Sequence, residues 1–403
     1  MRNNTLIIIS LASVIFILAY LFHPARPDIG ISFLDTSYNW EHWFDQRAYS
    51  IIATKLVDGT LDTPEITSGV GYVTGLGYPI LSVFSVIFSS KDAILFHHGF
   101  FVPNLLLFLG VVYTTFSLMK TLTKNLWISI VGISTFLVLS PYLIWFVEPW
   151  NGHVVEFAII GIVFLLIRQK DTVSRKSIMI SCLLAGWIFA TRYVDILWVL
   201  PIFIPFFILN PKKLPYIFPA IIIIVLVLFS HWVYFDDPLQ FPNSITPWEA
   251  EKNPLYDKVN LEMFNLDIET LGNRTFCIFF NPTDCQPEET GDEFVDNWWF
   301  KALDNKIPLS VYGLGLLGLS PLGGYLLLRK SQSQQRFLLI GLLIGFFSSM
   351  VFYTSIFIFS SGWTPFFRYH IVWLPVLAVF STYGINFVYS KLRLYRDKKS
   401  PKN

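Results

Sequence analysis

The chain has 403 residues, of which 54% are hydrophobic and only 14% charged, with a mean hydropathy of +0.55. A soluble domain carries about 25% charge, so the composition leaves too few charges to cover a globule in water. It also excludes disorder, collagen, a coiled coil and a basic nucleic-acid-binding domain. Aromatic residues make up 17%, and many of the 13 Trp and 18 Tyr flank apolar runs, where the interfaces of a bilayer fall. The fold class that follows is an all-α polytopic membrane protein.

The first apolar run, 5–22, has a charged start but no small-residue cleavage site after it. It is expected to be a retained span and not a removed signal peptide. An outer loop, 23–93, comes next. Within it Asp45, Tyr49, Ala53, Leu56 and Gly59 recur at spacings of four, four, three and three, a single helical stripe closed by a glycine suited to a C-terminal cap. Trp40, Trp43, Phe44, Ile51 and Ile52 add apolar surface, so this helix is expected to lie on the membrane, where the plain alternative is an amphipathic helix with a solvated Asp45. The stretch 76–89 is 14 residues long and begins around Gly75, Gly77 and Pro79. That is short for a crossing and fits a re-entrant or interfacial helix.

The further spans are expected at about 94–118, 126–147, 152–167, 178–191, 195–209, 215–234, 308–328, 336–358 and 370–390, making ten with both termini inside. Residues 1–234 form an N-terminal membrane module, 235–307 a second large outer loop, and 308–403 the C-terminal helices with a basic cytoplasmic tail. Cys182 lies in an apolar run and reads as a small core residue. Cys277 and Cys285 share the second outer loop, where pairing stays open. That loop also holds Asn273-Arg274-Thr275, a weak glycosylation triplet.

Charge orients the chain. With a cytoplasmic N-terminus and 76–89 not crossing, 18 of the 29 basic residues fall in inner segments, against two acids, Asp171 and Asp397. The net charge of +1 hides this segregation.

Once sidedness is set, the ionisable residues gather at the outer face. Glu148, His153 and Glu156 surround one outer turn, Arg192 and Asp195 the next. His97 and His98 stand before the second span, Arg368 and His370 before the last, and Asp45 in the first outer loop. Each has a plainer reading: Arg and His settle at headgroups, Glu148 and Glu156 suit a solvated loop, and Asp195 suits an ion pair with Arg192 three residues away. The argument for function is their convergence, because charge beside a membrane core is costly.

Asp45-Gln46-Arg47-Ala48-Tyr49, continuing through Ala53 and Leu56 to Gly59, resembles the first outer loop of the GT-C membrane glycosyltransferases, a group that includes protein O-mannosyltransferases and the aminoarabinose transferases of lipid A. Gly77-Tyr78-Pro79, Thr191-Arg192 and Phe367-Arg368-Tyr369 with Leu374-Pro375 are similar to later elements of that family, in the same order. Two features depart from it: Gln46 stands where many relatives have a second acid, and the large C-terminal soluble domain of some relatives is not expected here.

The resemblance implies transfer of a sugar from a polyprenyl-phosphate donor to a lipid, glycan or protein acceptor at the outer face, amid membrane lipids and without nucleic acid. It implies Asp45 as base, Arg192 and Arg368 as ligands of the donor phosphate, and Tyr49, Glu148, His153, Glu156 and His370 as substrate-binding or orienting groups. Neither a cofactor nor a metal is expected. A ligase or polymerase of lipid-linked glycans, and a non-enzymatic transporter or flippase, are the alternatives.

Overall fold

The computed structural model describes residues 2–21, 44–60, 75–86, 98–139, 146–147, 150–168, 173–235, 307–356 and 372–399. These form twelve α-helices, and no strand occurs among the described residues: α1 (Arg2–Leu21), α2 (Phe44–Asp58), α3 (Pro79–Val86), α4 (Phe101–Thr123), α5 (Leu126–Leu139), α6 (Gly152–Ile167), α7 (Arg175–Thr191), α8 (Ile196–Leu209), α9 (Phe218–Phe235), α10 (Ile307–Lys330), α11 (Ser333–Ile356) and α12 (Leu374–Lys399). The all-α class is therefore as the sequence predicts. Among the described residues, three helical stretches are long and apolar enough to cross a membrane by length and composition: Phe101–Thr123, Pro211–Ser230 and Gln335–Tyr353. The apolar helices Thr5–Leu21, Leu126–Leu137, Gly152–Ile167 and Tyr193–Leu209 are shorter. On α9 the side chains of Phe218, Val225, Leu226, Phe229 and Trp232 are exposed, as a surface facing lipid would be.

Local chemistry sets the element ends. Helix α2 stops at Gly59, whose φ of +67° is the left-handed conformation that glycine adopts without a steric penalty. The Thr60 N–H then reaches back 3.0 Å to the Lys55 carbonyl, the six-to-one bond of a Schellman cap. Helix α7 starts at Ser174, whose hydroxyl accepts the Ser177 N–H at 3.2 Å. It ends at Arg192, an extended residue (φ −149°, ψ 92°) followed by the 3-10 turn Tyr193–Asp195 and then α8. Asn210 ends α8 by donating from its side chain to the Phe206 carbonyl at 2.9 Å, and Pro211 opens the 3-10 turn that leads into α9.

The core is one continuous cluster running from α1 through α12. Helix α7 lies against α6 and α9, α4 against α6 and α12, and α10 against α12. The pairing of α8 with α11 matters most for the site. Pro205 has no N–H to give the carbonyl of Pro201, and that carbonyl faces Gly341 of α11, where a side chain would collide with it. One turn on, Gly345 meets the Trp198 carbonyl in the same way. Small residues let the two backbones approach closely, and this carries the C-terminal end of α11 onto the α7–α8 corner.

Candidate functional site

Arg192 sits at that corner, its side chain 11% exposed. Its Nη1 lies 3.1 Å from Asp195 Oδ2, and its Nη2 donates to the Tyr353 hydroxyl at 3.0 Å. The Tyr353 hydroxyl in turn donates to Asp195 Oδ1, which also accepts the indole N–H of Trp198 at 3.1 Å. The buried carboxylate of Asp195 thus receives an arginine from the corner, an indole from α8 and a phenol from α11. The guanidinium carbon stands 5.9 Å from the Trp150 ring and 5.6 Å from the Tyr353 ring, within cation–π range. The pairing of Arg192 with Asp195, expected at a spacing of three, is present.

The corner is joined to helix α2 by the segment Gly75–Tyr78. The N–H groups of Gly75 and Gly77 donate to the carbonyls of Thr191 (3.3 Å) and Ala190 (2.9 Å), and the Trp187 indole donates to the Gly77 carbonyl at 2.8 Å. The last carbonyls of a helix have no partner within it, and here they are met by a segment more than a hundred residues earlier. A Cβ on either glycine would run into the backbone of Ala190, so both positions need the bare Cα. Tyr78 extends the connection. Its fully buried hydroxyl donates to Asn104 Oδ1 at 2.9 Å and accepts the Trp150 N–H at 3.1 Å. Its ring stacks on Phe100 (5.0 Å) and meets Tyr49 edge-on (5.2 Å). Burial holds the Tyr78 phenol well above its ordinary pKa, against the opposite pull of the N–H it accepts from Trp150.

Of the residues expected at the site, Tyr49 is buried, 1% exposed, on the face of α2 that it shares with Ala53 and Ile52. Asp45 falls in the first turn of α2, four residues before Tyr49 and so in register with it; its side chain lies outside the described residues. His153 and Glu156, three apart in the first turns of α6, are completely buried, whereas a Glu at a loop is ordinarily solvated. The His153 ring stacks on Phe146 (4.1 Å) and meets Trp150 edge-on (5.3 Å). The structure therefore links Tyr49, His153 and Arg192 through Tyr78 and Trp150, by ring contacts and by the hydrogen bond from the Trp150 backbone N–H to the Tyr78 hydroxyl. Glu148, Arg368 and His370 lie outside the described residues, as do His97, Trp40, Trp43, Asn273, Cys277 and Cys285 and the loop 236–306. Cys182 is buried in the core, as expected. Among the described residues no three His, Cys, Asp or Glu side chains come together.

Sequence reasoning missed Tyr353, Trp150 and Tyr78 as members of this network. Tyr353 left one signal: a phenol hydroxyl that follows the apolar run 337–347 on the same helix, where it needs a partner. No protein-family model matches the sequence, and no curated protein does.

Proposed function

We propose that this protein transfers a sugar from a polyprenyl-phosphate donor to an acceptor at the extracytoplasmic face of a membrane, by inverting displacement with Asp45 as base. The observation that carries the reading is Arg192: a nearly buried guanidinium between aromatic rings, tied by Gly75–Tyr78 to the helix that bears Asp45. The segregation of charge supports ten spans with both termini inside and a re-entrant 76–89, which sets this corner on the outer side.

In the reaction the acceptor hydroxyl oxygen bonds to the anomeric carbon as the bond from that carbon to the phosphate oxygen breaks. The electron pair leaves on the polyprenyl phosphate and the hydroxyl proton passes to the Asp45 carboxylate. A carboxylate with a reference pKa of about 3.9 is a weak base. The hydroxyl becomes acidic only as its bond to the oxocarbenium-like carbon forms, so position counts for more than basicity. Arg192 and Arg368 offset the charge gathering on the phosphate, because guanidinium stays ionised near lipid and grips two oxygens. Tyr49 holds the base helix in place, and Glu148, His153, Glu156 and His370 bind or orient the substrates.

The test is transfer from a panel of radiolabelled polyprenyl-phosphate sugars, with lipid, glycan and protein acceptors supplied, comparing the purified protein with Asp45→Asn. Turnover by the wild type that is lost in the variant supports the reading and names the donor. Equal turnover by both removes Asp45 from the mechanism. No turnover of any carrier turns the reading toward glycan ligation or transport.

A further inference from the structure

The two groups that hold Arg192 are placed to do more than neutralise it. Resting on the sugar-transfer reading above, we infer that Tyr353 and Asp195 are positioning residues, which fix the Arg192 guanidinium in the orientation that receives the phosphate of the lipid carrier.

Arg192 follows the last residue of α7 in an extended conformation, and its backbone alone leaves more than one staggered rotamer open to a long side chain. Selection comes from outside. Asp195, fixed by the short turn to α8, meets Nη1, and Tyr353, arriving 161 residues later on α11, meets Nη2. A hydrogen bond at Nη2 and an ion-pair contact at Nη1 anchor the two terminal nitrogens separately, and the Trp150 and Tyr353 rings limit the tilt of the guanidinium. The Tyr353 hydroxyl accepts from the arginine and donates to the aspartate, so one atom closes the triangle. The Trp198 indole holds the aspartate from the far side. An arginine ordered before its ligand arrives spends less conformational entropy on binding. Aspartate from the turn before α8 and tyrosine from α11 give a more rigid hold than either alone.

A purely structural ion pair and a positioning clamp differ in what they do to a phosphate. The probes are radiolabelled farnesyl phosphate and farnesol, which share the chain and differ in the phosphate, bound to the full-length protein in detergent. The wild type is expected to prefer the phosphate. Tyr353→Phe keeps the ring and its packing on Trp198 and Phe352. It is expected to weaken farnesyl phosphate roughly tenfold, the effect of one hydrogen bond to a charged group, and to leave farnesol unchanged. In an Arg192→Ala background the same change is expected to have no effect, because the residue it positions is gone.

Asp195→Asn supplies an independent test that preserves shape. If Asp195 only cancels charge, its loss strengthens binding of the phosphate; if it positions Arg192, binding weakens despite the extra positive charge. Equal losses for both probes, a full tenfold loss in the Arg192→Ala background, or tighter binding by Asp195→Asn each overturn the inference and leave the sugar-transfer reading intact. A wild type that binds farnesol as well as farnesyl phosphate overturns the reading, and the inference with it.

Discussion

Removing the carboxylate of Asp195 is the most direct test of how the corner is held together. The side chains of Asp195 and Arg192 are 2% and 11% exposed, so the pair is hardly screened by water. Asp195→Ala takes away the ion-pair partner of the guanidinium and, with it, the acceptor of two neutral donors, the Tyr353 hydroxyl and the Trp198 indole N–H. Breaking a buried ion pair from one side costs about 3–5 kcal/mol, because the surviving charge stays buried without compensation. The two neutral donors push the cost toward the upper end. An exposed pair at the same spacing is worth less than about 1 kcal/mol. The measurement is unfolding free energy in mixed micelles under reversible conditions, for Asp195→Ala, for Arg192→Met and for the double variant. The expected order places Asp195→Ala lowest and the double variant above it, since replacing both charges by apolar groups removes the uncompensated one. A cost below about 1 kcal/mol for Asp195→Ala, or additive single effects in the double variant, would refute a buried and coupled pair.

Two further outcomes follow from the Gly75–Tyr78 segment. Gly77→Ala places a Cβ 2.9 Å from the Ala190 carbonyl carbon and the Thr191 nitrogen, both backbone atoms that cannot swing away. It should cost about 2–3 kcal/mol through overpacking and a lengthened bond to Ala190, measured in the same unfolding assay, with Gly77→Ser no better. Tyr78 gives a pH dependence with a definite sign. Its folded pKa is raised by burial, so above about pH 10 the unfolded phenol ionises while the folded one does not. Stability from this group is full below pH 10 and lost as pH rises further, so the wild type should lose stability more steeply between pH 10 and 11 than Tyr78→Phe does, when followed by thermal unfolding.

Local features of this chain were open to reading, and distant ones were not. The helix carrying Asp45 and Tyr49, and its stop at Gly59, follow from spacing and from one residue able to take a positive φ. The partnership of Arg192 with Asp195 was available from a separation of three. Helix ends need more than hydropathy. Helix α4 begins at Phe101, after the 3-10 turn His98–Phe100, and α12 continues through the basic residues to Lys399 because Lys and Arg are good helix formers even outside an apolar run. Gly75 and Gly77 were visible as the start of an apolar stretch. Their bonds to the end of α7 depend on a contact across more than a hundred residues, which no local pattern encodes. Tyr353 is hidden for the same reason, and the full burial of Glu156 runs against the ordinary preference of its residue type.

These contacts divide the candidate site into two parts with different mechanical dependence. Arg192 is fixed by α8 and α11 through Asp195, Trp198 and Tyr353, and it would keep those partners if α2 were displaced. The described core of α2 is small, chiefly Tyr49, Ile52 and Ala53, and its main neighbour is α3, which begins directly after Tyr78. The position of α2 therefore depends on Tyr78 and the two glycines before it, and the same segment covers the end of α7 that leads into Arg192. Under the sugar-transfer reading, damage to the clamp acts on the phosphate alone, whereas damage to the Gly75–Tyr78 segment shifts base and phosphate ligand together. A displacement needs the base and the leaving group in one line through the anomeric carbon, and a shift of about 1 Å in either can cost a hundredfold in rate. That geometric demand gives a physical reason for one short segment to touch both halves of the site.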